Sequence, residues 1–203
     1  MSMELQNTAL ILVDIQNDFC PGGALAVYEG DQIVPVVNNL IQKFPLVIST
    51  QDWHPANHIS FVERGGPWPP HCVQNTYGAE LRSDLKTDTI DLYFRKASSP
   101  DKDDYSEFAG KDDRGQKLDD VLKSRGVKTI YVVGLATDYC VKETVLDGLR
   151  NGYQVFAVTD AMRAVNVKPS DGDEALDEMK RKGAHLITSS EMLELAGSSA
   201  NAS

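Results

Sequence analysis

The chain has 203 residues, of which 41% are hydrophobic and 25% charged, with a formal net charge of −10. This supplies one large core, so a single domain over residues 1–203 is expected. The acidic balance argues against a nucleic-acid backbone or an anionic membrane surface as partner. No apolar run approaches the roughly 18 residues that a spanning helix needs, and the N-terminus lacks a basic-then-apolar leader pattern. The cysteines Cys20, Cys72 and Cys140 are odd in number and have no framework spacing, which points to a reducing cytosol. Residues 197–203 are Gly, Ser, Ala and Asn only, and a flexible tail is expected there.

The predicted elements alternate between strand and helix. Ala9 to Val13 is a short apolar strand ending at Asp14. Asp31 opens a helix with Ile33, Val36 or Val37, Leu40 and Ile41 inward. Leu46 to Thr50 is a second strand running into Asp52-Trp53-His54. Pro55 to Asn75 has no period, and a loop this long in a compact domain is usually functional. Ile90 to Phe94 forms a weaker third strand, followed by Arg95-Lys96. After a polar segment, Pro100 to Gly115, a helix buries Leu118, Val121 and Leu122 and stops at Gly126.

The fourth strand, Thr129 to Val133, breaks at Gly134, and Thr137 or Asp138 is expected to cap a helix with Val141, Val145, Leu146 and Leu149 on its inner face. Gln154 to Thr159 is a fifth strand, a helix through Ala175, Leu176 and Met179 follows, and His185 to Thr188 is a sixth strand. Ser189 or Ser190 caps a last short helix through Leu193. Near-continuous apolar strands separated by helices specify a parallel sheet covered on both faces, an α/β three-layer sandwich.

Such sheets bind ligands beyond the carboxyl ends of their strands. Asp14, Asp52, Lys96 and Cys140 come at the ends of strands one, two, three and four, so four strands deliver reactive groups to one edge. Cys140 falls in the first turn of its helix, where unpaired N–H groups and the helix dipole favour a thiolate. Alone it reads equally as a small buried residue. With Asp14 to take its proton and Lys96 to offset the charge, it reads as a nucleophile with its base.

Asp52, His54 and His71 form a second group. One carboxylate and two imidazoles suit Zn²⁺, Fe²⁺ or Mn²⁺ with positions left open. The same residues also read as an Asp52–His54 hydrogen bond beside a loop histidine, and Glu63 and His58 are spare donors nearby. Phe19 and Trp68 leave the same edge and could sandwich a flat ring, or simply anchor their loops; Tyr105 lies in a polar segment. The metal group belongs to strand two and its loop, and the nucleophile to strand four, so the two are expected to act separately.

Asp14-Ile-Gln-Asn-Asp-Phe19, Asp52-Trp-His54, Pro70-His71-Cys72-Val73, Arg95-Lys96 and Gly134-Leu-Ala-Thr-Asp-Tyr-Cys140-Val together resemble the nicotinamidase/pyrazinamidase branch of the isochorismatase-like cysteine hydrolases. The likeness runs from about Leu10 to about Ser189. It implies a six-stranded sheet ordered 3-2-1-4-5-6, with Asp14, Lys96 and Cys140 as catalytic triad. It also implies a cis peptide at Leu135–Ala136 and an oxyanion hole of the Ala136 and Cys140 amides. Metal ligation falls on Asp52, His54 and His71, with Glu63 as a further or water-mediated ligand, and Zn²⁺ is favoured over Fe²⁺ or Mn²⁺. Phe19, Trp68, Tyr105 and Leu135 fall where the family lines its pyridine pocket.

The implied activity is hydrolysis of nicotinamide to nicotinate and ammonia, and of pyrazinamide likewise, a linear-amide hydrolase of NAD salvage in the cytoplasm. The implied partner is the small substrate alone, with a homo-oligomer left open. Competing readings are a ureido or carbamoyl amidohydrolase, which would not need the metal group, a vinyl ether hydrolase, which would not need Cys140, and a non-catalytic α/β interaction domain.

Overall fold

The structure, a computed structural model, describes residues 5–198. Six strands form one parallel sheet in the order β3-β2-β1-β4-β5-β6: β1 Thr8–Val13, β2 Val47–Asp52, β3 Leu92–Lys96, β4 Thr129–Leu135, β5 Gln154–Arg163 and β6 His185–Ile187. The helices are α1 Ile33–Ile41, α2 Leu118–Ser124, α3 Lys142–Arg150, α4 Asp171–Arg181 and α5 Ser189–Ser198. Alternate residues of β1 feed two cores. Leu10 and Leu12 pack with α1 and with Met192 of α5, whereas Ala9, Ile11 and Val13 pack with Leu118 of α2, Val145 of α3 and Met179 of α4. Among the described residues no helix is long and apolar enough to cross a membrane.

Several local expectations are corrected. Asp31 does not cap α1; it lies inside a 3₁₀ turn, Gly30–Gln32, that leads into the helix, and Val37 rather than Val36 is buried. Neither Thr137 nor Asp138 caps a helix: Thr137–Val141 is a π turn ahead of α3, and the Asp138 carboxylate instead accepts the N–H groups of Val165 and Asn166 at 2.9 and 2.8 Å. β5 runs four residues past Thr159 because the register with β4 shifts between Val132 and Gly134. Neither Ser189 nor Ser190 caps α5: Thr188 Oγ1 accepts the Glu191 N–H at 3.3 Å while Glu191 accepts the Thr188 N–H at 2.7 Å, and Asp160 of β5 accepts the backbone N–H and hydroxyl of Ser189 at 2.8 and 2.6 Å. α5 takes in Gly197 and Ser198, so the expected tail is shorter at its start; the rest of it lies outside the described residues.

Two features set the active edge. Asp52 pairs with Lys96 in the β2–β3 register, so these side chains start as neighbours. Val13 pairs with Gly134 in the β1–β4 register. Gly134 has φ of +122°, and a Cβ there would run into the Val13 carbonyl, so only glycine lets β4 end this close to β1. The Leu135–Ala136 peptide is cis. Asp14, Cys72 and Ala97, all bordering the site, have φ of 47°, 45° and 50°, the left-handed region in which non-glycine residues are held by their surroundings.

Candidate active site

Lys96 is the hub of the site. Its side chain is wholly buried at the end of β3, and its Nζ lies 3.0 Å from Asp14 Oδ2, in direct contact with Asp52 Oδ1, 3.5 Å from Glu107 Oε1 and 3.5 Å from Cys140 Sγ. A buried ammonium is costly unless paired. Burial opposes the Lys96 charge, but Asp14 and Asp52 outweigh it and hold its pKa well above the usual lysine value. Asp14, Asp52 and Cys140 each present an atom within 4.8 Å of the others.

The charges around Cys140 differ from expectation. Burial pushes its thiol well above the ordinary value, with Lys96 pulling the other way and Asp14 adding to the rise. The group at rest is therefore a thiol, not a thiolate stabilised by a helix dipole, and it needs a base. Asp14 can serve as that base, because burial raises its pKa above the usual carboxylate value despite the Lys96 ammonium. Asp52 goes the opposite way. Burial raises it, but Lys96 and His54 together hold it below the usual range, so it stays ionised.

Asp52, His54 and His71 bring one donor atom each within 4.8 Å of one another, all buried. Donors about 2.0–2.2 Å from one ion stand roughly 3–4 Å apart, so the cluster fits a divalent metal. His71 Nδ1 faces the Pro69 carbonyl at 2.8 Å and His54 Nδ1 the Ala97 carbonyl at 3.3 Å. Bonds of this kind fix each ring and leave Nε2 as the free lone pair, and His54 Nε2 indeed lies 3.4 Å from Asp52 Oδ2. Burial lowers the His71 pKa, which keeps its imidazole neutral and able to ligate.

The spare donors do not join this set. Glu63 is exposed on a 3₁₀ turn, Val62–Arg64, and is not among the three clustered donors. His58 is buried, but its Nδ1 faces Ser60 Oγ at 2.7 Å and its Nε2 the Lys102 carbonyl at 3.0 Å, so both nitrogens are engaged. It stacks against His54 instead, with ring centroids 4.1 Å apart.

Phe19, Trp68, Tyr105, Ala136 and Cys140 line one cavity together with Asp52, His54 and His71. Trp68 donates its Nε1–H to the Tyr105 hydroxyl at 3.0 Å and meets Tyr139 edge-on at 5.2 Å. Leu135 is not part of the lining: as an inward residue of β4 it is fully buried in the core. Tyr139, Val165 and Leu25 line the cavity without any mark in the sequence; adjacency to Cys140 was the only available signal, and only for Tyr139. A more open depression of about 530 Å³ beside Asp138, Asp171 and Glu178 is lined by none of Asp14, Lys96, Cys140, Asp52, His54 and His71.

Residues of the first motif hold the site from behind. Gln16 donates to the Asp52 carbonyl and accepts the Asp52 N–H, both at 2.9 Å, and Asp18 accepts the Cys72 N–H at 2.7 Å. Glu107 is the residue that sequence reasoning missed most plainly: a carboxyl group in a polar segment, here wholly buried against Lys96.

Residues 8–191 match the family model for the isochorismatase domain. The chain is 46% identical to nicotinamidase from Escherichia coli (strain K12), covering 93% of this chain and 98% of that protein. Among solved structures, the pyrazinamidase of Pyrococcus horikoshii in complex with zinc aligns with a TM-score of 0.81 at 49% identity, over 90% of this chain and 99% of that one. PnC1 from L. infantum in complex with nicotinate aligns with a TM-score of 0.86 at 37% identity, over 94% and 97%. A sheet of this order, an active edge of this composition and likeness over nine-tenths of the length agree: the chain belongs to the isochorismatase family.

Proposed function

We propose that the protein hydrolyses nicotinamide to nicotinate and ammonia, and pyrazinamide to pyrazinoate, through a thioester on Cys140. The observation that carries this is the convergence of the buried Asp14 and Lys96 on Cys140, which lines one cavity together with Asp52, His54 and His71. The names of the aligned relatives supply the substrate class. Asp14 takes the Cys140 proton, and Sγ attacks the carboxamide carbon. The oxyanion that forms rests on the Ala136 and Cys140 backbone amides. Asp14 returns the proton to the departing nitrogen, the C–N bond breaks, and ammonia leaves a thioester. Water then gives a proton to Asp14 and its oxygen to the acyl carbon, and the Cys140 sulfur departs and recovers that proton.

Lys96 balances the charge that moves between Asp14 and Cys140, and its contact with both fixes their separation. Phe19 and Trp68 hold the aromatic ring, with Tyr105 fixed by Trp68 at the rim. Asp52, His54 and His71 would hold a divalent metal, Zn²⁺ by preference, and that metal would supply an electrophile for the pyridine nitrogen. The product places the enzyme in NAD salvage, and three free, buried cysteines agree with a reducing cytoplasm. A ureido or carbamoyl amidohydrolase has no need of the metal donors.

Ammonia release is the test. The metal-loaded protein is expected to act on nicotinamide and pyrazinamide and poorly or not at all on benzamide, which has the same shape without the ring nitrogen. Equal turnover of benzamide would remove the metal from ring recognition, and no release from any pyridine carboxamide would reject the assignment.

A further inference from the structure

Glu107 has no part in the scheme above, yet its side chain is buried against Lys96. It begins a 3₁₀ turn, Glu107–Ala109, and its backbone N–H donates to Thr144 Oγ1 of α3 at 3.1 Å. That bond ties the turn to α3. The side chain is inaccessible to solvent and its Oε1 stands 3.5 Å from Lys96 Nζ. Apart from Lys96, and the Cys140 thiol beside Asp14, no donor among the described residues reaches either oxygen of Glu107 or of Asp14.

A buried carboxylate normally gathers several donors. Lys96 has three N–H groups, but its single positive charge cannot offset three carboxylates. Asp52 keeps its charge through direct contact with Lys96 and through His54, and Asp14 has the nearer approach to Lys96, 3.0 Å against 3.5 Å. Glu107 is left with the weakest claim on the ammonium. A carboxylic acid in its place needs no donor and has one O–H to give, and Asp14 is the acceptor that faces it.

We propose that Glu107 is a positioning residue: it stays protonated and donates its O–H to the Asp14 carboxylate, which keeps Asp14 ionised and turned toward Cys140. The charged neighbours agree. Lys96 reaches Glu107 from β3, Asp14 from the end of β1 and Asp52 from the end of β2. α3 presents the uncharged Thr144, whereas on α2 Asp119 is bonded to Lys123 and Tyr153 and Asp120 is exposed. Burial, then the Asp14 charge, push the Glu107 carboxyl well above its ordinary value. The arrangement follows carboxyl pairs in which one member is held neutral to serve the other.

The inference rests on Asp14 being the base for Cys140, so the test reads that step with and without substrate. Glu107→Gln keeps a neutral donor, and Glu107→Leu keeps volume without one. In metal-loaded protein, the pH profiles of nicotinamide turnover and of Cys140 alkylation by iodoacetamide are measured for both. The Gln variant is expected within about 3-fold of wild type with an unmoved acid limb. The Leu variant should lose roughly 10- to 100-fold, the worth of one hydrogen bond to a charged group, with its acid limb moved to higher pH. Equal damage in both variants, or limbs that move to lower pH, would mean that Glu107 acts as an anion and overturn the proposal, as would no effect in either. If the Leu variant does not fold, the Gln variant decides alone: a 10-fold loss or a lowered limb rejects it. Alkylation that follows this pattern without any ammonia release would leave Glu107 in its role and reject nicotinamide as substrate.

Discussion

The proposed nucleophile half of the site and the proposed metal half are built by different means. Asp14 and Lys96 sit at or just beyond the ends of β1 and β3 and Cys140 on the turn after β4, and the registers Val13 with Gly134 and Asp52 with Lys96 bring these strand ends together. The metal half takes Asp52 and His54 from the end of β2 but His71 from the long loop. That loop is held by scattered hydrogen bonds, among them the His54 N–H to the Cys72 carbonyl at 3.0 Å, the Gln74 N–H to the His54 carbonyl at 2.8 Å, the Cys72 N–H to Asp18 at 2.7 Å and the Ile59 N–H to the Pro100 carbonyl at 2.8 Å. One half is fixed by the sheet and the other waits on a loop. The sequence leads one to expect independent halves, but Lys96 touches both Asp14 and Asp52, and Asp52 comes within 4.8 Å of the reactive groups of Asp14 and Cys140.

That contrast breaks most sharply at the base. Asp14→Asn should lower kcat by roughly 10²- to 10⁴-fold, because an amide cannot take the thiol proton. Metal content, measured by elemental analysis, should be unchanged if the metal sits on the Asp52, His54 and His71 donors and not on the Asp14, Asp52 and Cys140 group beside them. Loss of metal together with activity would show that the two halves fold as one.

Removal of the metal by a chelator should cost roughly 10²-fold in nicotinamide turnover, the penalty for a mispositioned ring, and a divalent transition metal should restore it. The shared lysine adds a second expectation, opposite to independent halves. An uncovered Asp52 draws harder on Lys96 and leaves more negative charge beside Cys140, so iodoacetamide should label Cys140 more slowly in the stripped protein. An unchanged labelling rate would restore the picture of separate halves.

The smallest effect is on pH dependence. Burial raises the pKa of Asp14, and only its ionised form accepts the thiol proton. Activity should therefore rise with pH as Asp14 ionises and fall as pH drops through a midpoint above the ordinary 3.8 of an aspartate. A pH–kcat/KM profile with its acid midpoint at or below that value would contradict the raised base.

How much of this was legible in the sequence follows a physical division. Apolar runs such as Ala9 to Val13 and Thr129 to Val133 mark buried strands directly, and strand ends put Asp14, Asp52, Lys96 and Cys140 on one edge. What the sequence hid depends on partners far along the chain. Asp138 looks like a helix cap, but two amides of the segment after β5 claim its carboxylate. Asp160 looks like a residue beyond a strand end, but the shifted pairing with β4 carries β5 past it and its carboxylate is taken up by Ser189 at the start of α5. Glu107 looks like one more charge among Pro100 to Gly115, and only the docking of its turn against β3 and α3 buries it. The Asp52–Lys96 contact needs a register that no spacing within either strand reveals.

The most direct measurement is ammonia release by Cys140→Ala in metal-loaded protein, with nicotinamide binding followed by calorimetry. Alanine is small, and it replaces a buried residue on a turn held by the Tyr139 and Val141 amides bonded to the Ala136 carbonyl, so the fold should persist. The account predicts that nicotinamide still binds and that no ammonia is released above the uncatalysed rate. Turnover by this variant near the wild-type rate would contradict it, because no thioester could then lie on the path.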